Sequence, residues 1–177
     1  MLENLFQEVP QLKGGNLLLR QLTAEDAEDL GKLAGNDRVY RLEPSFLFER
    51  QYDDPREAIS RMYDGTLTDS LIWGVFQDQR FCGLAEIYGY RAPIRKISVG
   101  YRLLEEMWGR GIATEALRLM TEELLERRPI EIITASTMIE NRASARVLQK
   151  NGFTLVNHAV EEDWGFPTPT LADKWIR

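Results

Sequence analysis

The residues best suited to chemistry lie in one stretch, Trp108-Gly109-Arg110-Gly111-Ile112-Ala113-Thr114. Two glycines let a chain turn sharply and approach a ligand closely. A helical pattern of apolar residues begins at Ile112. Free amides at a helix start point outward and carry partial positive charge, so they favour a bound anion. Successive amides in such a turn form an anion nest without any lysine, and Arg110 can add its charge. Two phosphate-binding patterns fail here. A nucleoside-triphosphate loop needs Gly-Lys-Ser or Gly-Lys-Thr after four spacer residues, and none exists. A dinucleotide fingerprint needs Gly or Ala where Thr114 stands, and an acid ending the next strand, whereas Glu131 falls at that strand's beginning.

Two readings of the turn remain open. A loop holding the pyrophosphate of an acyl-coenzyme A needs only the glycines, the exposed amides and the helix start; a tight turn without a ligand uses the same residues. Other candidates are scattered. Glu86 interrupts an apolar strand on the face of Leu84 and Tyr88; a carboxylate on a half-buried strand is often functional, and a salt-bridged or edge-exposed Glu86 is the other reading. Asn141 precedes a helix that it can cap, and Ser144 lies three residues on, near the same helix face. His158 reads as a surface or packed histidine, and Cys82 as packing.

The elements that must position these groups follow from periodicity. Residues 1–14 read as irregular, and residues 17–22 as a first strand. A helix from Thr23 to about Gly35 opens on the capping pair Thr23 and Asp26. A second is announced by Asp54-Pro55-Arg56-Glu57 and ends near Gly65. Strands are predicted over 71–77, 81–89 and 95–104, the last two as antiparallel neighbours. The period then changes to helical from Ile112 to a stop at Pro129. A strand over 130–138, a helix over 142–150 with the Asn151-Gly152 exit, and a hairpin over 153–160 and 170–176 complete the chain. The prediction is a mixed α/β fold, an antiparallel N-terminal meander feeding a βαβ unit.

Together, three segments resemble the GNAT superfamily of N-acetyltransferases, in particular its ribosomal-protein N-terminal acetyltransferase branch. They are Ile97-Ser98-Val99-Gly100-Tyr101-Arg102-Leu103, the 108–114 turn followed by Glu115-Ala116-Leu117, and the run from Asn141 to Phe153 that contains Ser144 and ends in Gly152-Phe153. The resemblance implies one domain over residues 16–177 after an irregular segment 1–15, with central strands splayed to hold acyl-coenzyme A. It implies acetyl-coenzyme A as co-substrate, with no metal, and acetyl transfer to a primary amine by direct attack on the thioester. By the same resemblance, backbone groups of Tyr101, Arg102 and Leu103 hold the pantetheine arm. Amides of Trp108, Gly109, Arg110, Gly111, Ile112, Ala113 and Thr114 bind the pyrophosphate, and Asn141 pairs with pantetheine amides. Ser144 protonates or stabilises the thiolate, and Glu86 takes the amine's proton or binds its ammonium form. A module that binds acetyl-coenzyme A without turnover is the alternative.

Substrate recognition is expected from Val39 to Tyr52, with Tyr40, Phe46, Phe48 and Tyr52, from Tyr88 to Pro93, and from Asp163 to Thr170. The expected partners are an amine acceptor, either a small molecule or a protein N-terminus, and a second copy in a homodimer. Composition agrees. The length of 177 residues suits one domain, and the net charge of -6 argues against a nucleic-acid partner. No apolar run approaches the roughly 20 residues of a membrane span. The acidic Met1-to-Glu8 start lacks a secretory pattern, and the lone Cys82 suits a reducing compartment, so a cytoplasmic location is expected.

Overall fold

The computed structural model describes residues 5–43 and 47–177. Eight strands form one sheet: β1 (Leu12–Gly14), β2 (Leu17–Arg20), β3 (Ser70–Gln77), β4 (Arg80–Arg91), β5 (Lys96–Leu103), β6 (Ile132–Met138), β7 (Thr154–Glu162) and β8 (Thr170–Ile176). Their order is β1-β2-β3-β4-β5-β6-β8-β7, antiparallel except between β5 and β6. The helices are α1 (Ala27–Ala34), α2 (Asp37–Tyr40), α3 (Pro55–Tyr63), α4 (Ile112–Arg127) and α5 (Arg142–Lys150). This is the expected meander joined to a βαβ unit, with α4 as the crossover.

Strands β3 and β4 are buried at successive residues from Ile72 to Phe76 and from Phe81 to Ile87. A strand buried on both faces needs cover on both, as in sheets flanked by helices. Helix α4 packs against β1, β2, β4 and β5, and α1 against β4 and α3. The helix starts follow local rules. Asp54 caps α3 by accepting from the Arg56 amide at 2.9 Å, and Pro55 stands at the first helical position. Asn141 caps α5 through the Ser144 amide at 3.1 Å.

The N-terminal segment is more ordered than its sequence suggested. Leu12–Gly14 pairs with β2, and Leu5 and Phe6 are buried. Tertiary contacts impose this: the Trp73 indole N–H donates to the Pro10 carbonyl at 2.8 Å, and Arg128 donates to the Leu5 carbonyl at 2.8 Å. No local pattern announces such distant partners.

Pairing between β5 and β6 is short, covering Lys96↔Ile132, Ile97↔Ile133 and Ser98↔Thr134. Beyond Ser98 the strands diverge, and the β6-facing edge of β5 has no strand partner among the described residues. On β5's other edge, Gly83 of β4 faces Leu103 with φ +151, and a Cβ there would fall 2.2 Å from the Arg102 carbonyl oxygen. Gly83→Ala is therefore expected to destabilise the fold by about 2 kcal/mol, from overpacking and backbone strain. Equilibrium urea unfolding should show a lowered midpoint with an unchanged slope.

Candidate active site

The divergence of β5 from β6 creates the site. Strand alternation decides which main-chain groups face it. The Arg95 carbonyl accepts from the Glu131 and Ile132 amides on the β6 side, whereas the Leu104 amide donates to Cys82 on the β4 side. Odd-numbered residues of β5 thus turn their N–H and C=O groups toward β6. Past Ser98, those of Val99, Tyr101 and Leu103 open into the gap, apart from the Leu103 carbonyl, which accepts from the Trp108 indole N–H at 2.9 Å. Arg102 differs from the sequence expectation. Alternation turns its main chain toward β4, so only Tyr101 and Leu103 of the three present backbone groups to the gap.

At one end of the gap lies the 108–114 turn. Gly109 and Gly111 both have left-handed backbones, φ +72 and +79. Gly111 is the N-cap of α4, and the first helical bond runs from the Glu115 amide to the Gly111 carbonyl at 3.0 Å. The amides of Ile112, Ala113 and Thr114 therefore have no intrahelical acceptor, and no side chain caps them. A cleft of about 400 Å³ runs over these amides, Trp108, the free edge of β5 and the inner face of α5. Asn151 braces it by donating to the Thr114 carbonyl at 3.1 Å, which ties the end of α5 to the start of α4. Arg110 is exposed and is not among the residues lining the cleft.

In the middle of the gap, the Tyr101 hydroxyl and Ser144 Oγ share a hydrogen bond of 2.8 Å. Burial pushes the Tyr101 phenol up, against the opposing hydrogen bond from Ser144, so it stays protonated. Asn141 and Ser144 both line the cleft. The Asn141 side-chain oxygen is engaged as the helix cap, and its side-chain nitrogen has no partner among the described residues.

Below the cleft is a buried ionic cluster. Arg102 grips Glu49 through Nε at 2.5 Å and Nη2 at 2.7 Å, and reaches Glu86 through Nη1 at 3.0 Å. The Tyr40 hydroxyl donates to Glu49 at 2.5 Å. Burial pushes the Glu49 carboxyl up, but the guanidinium charge and hydrogen bonds outweigh it and hold it below its ordinary value. Glu86 is 3 % exposed and lines neither this cleft nor the neighbouring cavity.

A second, smaller cavity of about 180 Å³ lies on the other side of the gap, bounded by Tyr88, Glu162, Asp163 and Trp164. Among the described residues, three line both spaces: Glu43, Tyr101 and Ser144. Of the segments expected to recognise substrate, 39–52 supplies Val39, Leu42 and Glu43 to the cleft, while Tyr88, Asp163 and Trp164 come from the other two. Phe48 and Tyr52 pack on each other and the core, and Phe46 lies outside the described residues. His158 pairs with Asp173 at 2.6 Å on β7, and Cys82 is buried; neither lines the cleft or the cavity.

The sequence reading did not single out Arg146 or Lys150, and it covered Glu43 only as part of the 39–52 segment; all three line the cleft. Arg146 and Lys150 were within reach, because their four-residue spacing puts them on one face of α5. Nothing local marked Glu43.

The chain belongs to the GNAT acetyltransferase domain family, whose model matches residues 16–154, an N-acetyltransferase class that draws its acetyl group from acetyl-coenzyme A. A probable N-acetyltransferase of Bacillus subtilis, YjcK, is 29% identical over 149 residues, covering 80% of this chain and 82% of that protein. Two solved structures, 15% and 17% identical, show the same fold. The acetyltransferase from Salmonella typhimurium that modifies the N-terminal serine of ribosomal protein L7/L12 superposes with TM-score 0.79 over 95% of this chain and 98% of its own. The spermidine N-acetyltransferase of Vibrio cholerae, in complex with CoA and spermine, superposes with TM-score 0.75 over 93% and 96%. Among the described residues, no helix is long and apolar enough to cross a membrane.

Proposed function

We propose that this protein transfers the acetyl group of acetyl-coenzyme A to a primary amine, either a protein N-terminus or a small-molecule amine, by direct attack on the thioester. The observation that carries this is the cleft itself. Its open main-chain edge at Val99, Tyr101 and Leu103 leads from the uncapped amides of α4 to the Tyr101–Ser144 hydroxyl pair.

The division of labour follows from these groups. The amides of Gly111 to Thr114 take the pyrophosphate, and Arg146 and Lys150 add positive charge beside it. The free N–H and C=O groups of Tyr101 and the N–H of Leu103 hold the pantetheine arm in the manner of a missing strand. Asn141 offers its unpaired side-chain nitrogen to the same arm. Near the thioester, Ser144 and Tyr101 form a donor pair. Ser144 hydrogen-bonds the leaving thiolate, and the hydroxyl beside it can relay a proton. Glu86 acts through Arg102, whose buried charge it shares with Glu49, and so fixes β5 rather than meeting the amine.

Ser144→Ala should lower turnover by about 100-fold, the usual scale for a lost proton donor, and leave coenzyme A affinity nearly intact. Steady-state kinetics paired with calorimetric titration of coenzyme A separates the two effects. Unchanged turnover would remove Ser144 from the chemistry, and a large loss of affinity would make it a binding residue.

A further inference from the structure

Among the described residues, three line both the cofactor cleft and the cavity beyond the β5–β6 gap, and Glu43 is the one of them that carries a carboxylate. It stands three residues past the end of α2, with its amide bonded to the Tyr40 carbonyl at 3.2 Å. Its carboxyl has no hydrogen bond or ion pair among the described residues, unlike Glu49 and Glu86 nearby. A half-buried acid without a partner, at the junction of two cavities, is placed to meet a ligand that spans them.

We propose that the Glu43 carboxylate accepts the proton of the incoming ammonium, which arrives through the second cavity while acetyl-coenzyme A occupies the cleft. This inference rests on the acyl-transfer reading above. The second cavity suits a cation. Glu162 and Asp163 border it with Tyr88 and Trp164, and Lys174 is held by two of its lining residues, Glu162 and Ser136. Rings and carboxylates together attract ammonium groups.

The proton and electron count closes. The ammonium loses one proton to Glu43, and the freed lone pair attacks the carbonyl carbon. The C–N bond forms and the C–S bond breaks, with the electron pair leaving on sulfur. The nitrogen's second proton reaches the thiolate by way of the Tyr101–Ser144 pair. Glu43 then returns its proton to solvent.

The groups facing Glu43 tune it for this task. Burial is the largest influence; Arg102 opposes it, and Glu86 and Glu49 add to it, so the carboxyl is pushed up to about 7. Tyr88 and Tyr101 also face it, both kept protonated by burial, and the cluster of one arginine against two glutamates leaves a surplus negative charge. A base whose pKa lies near the operating pH is the most effective kind. In wild type, kcat/KM should rise with pH through an inflection near 7, as Glu43 ionises.

The test is Glu43→Gln, assayed by free-thiol release with the fastest acceptor among spermidine, an unblocked N-terminal peptide and an aminoglycoside. The variant should lose roughly 100-fold or more in kcat/KM and lose the inflection near neutral pH, with coenzyme A affinity unchanged. A folding control is built in. Because the folded-state pKa is raised above 4.5, the wild type gives up stability as pH rises from there through about 7, so the variant should gain melting temperature at pH 8 and little at pH 4. A variant with wild-type rate and the inflection retained would overturn this proposal and leave the acyl-transfer reading standing. Absence of thiol release by the wild type with all three amines would overturn both.

Discussion

Gly111→Glu is expected to abolish coenzyme A binding while leaving the protein folded. Gly111 has φ +79, and a Cβ there meets nothing within 4 Å, so the added side chain projects into open space. The left-handed backbone costs a non-glycine residue about 1 kcal/mol, a few degrees of melting temperature in a domain of this size. The ligand effect is larger. The carboxylate lies beside the uncapped amides of Ile112 to Thr114, where it competes for their partial positive charge and repels the pyrophosphate. A loss of about 100-fold or more in affinity is expected from charge reversal in an anion nest. Gly111→Asn separates the causes, since asparagine tolerates the left-handed backbone and adds no charge. It should retain most of the affinity. Calorimetric titration of coenzyme A checks both variants, and equal loss in both would place the effect in the backbone rather than the charge.

Arg102→Met should be the most destabilising single change among the residues of the site. The side chain is 2% exposed and is the common partner of Glu49 and Glu86. Removing it leaves two buried carboxylates without their counter-charge, which costs about 4 kcal/mol in comparable cases. The pH dependence carries a definite sign. In the wild type, Glu49 lies below its ordinary value of 4.5, so its contribution is present above 4.5 and fades as pH falls through the lowered value. In the variant the guanidinium no longer opposes burial, the largest influence on Glu49, and only the Tyr40 and backbone hydrogen bonds still do, so its carboxyl rises and the penalty is felt at neutral and alkaline pH and relieved by protonation. The stability gap between wild type and variant should therefore be wide at pH 8 and narrow toward pH 4. A gap independent of pH would mean that Arg102 contributes through packing alone.

The parts of the fold set by neighbouring residues were legible in the sequence. Helix α5 matches its prediction because the Asn141 cap and the Asn151-Gly152 exit are both local signals. The 108–114 turn was legible for the same reason, since two glycines and a helix start dictate uncapped amides wherever the chain goes. Strand β1 was not, because Trp73 and Arg128 hold its approach from far along the chain. Glu49 meets Arg102 across 53 residues of sequence, so no spacing rule could pair them. The parity that turns the main chain of Arg102 toward β4 depends on register, and one residue of slip reverses it. Glu43 shows the limit most clearly. Its position at the junction of two cavities exists only once β5, α2 and α5 are assembled.

The most direct test of the account is transfer itself. Purified protein with acetyl-coenzyme A is offered N-terminal peptides, polyamines and aminoglycosides, and both the free thiol and the mass of each amine are followed. The account predicts that at least one amine gains an acetyl group in step with thiol release, and that Ser144→Ala slows both together. Tight coenzyme A binding with no acetylated product from any of these amines would contradict it, and would make the chain a coenzyme-binding module rather than a working transferase.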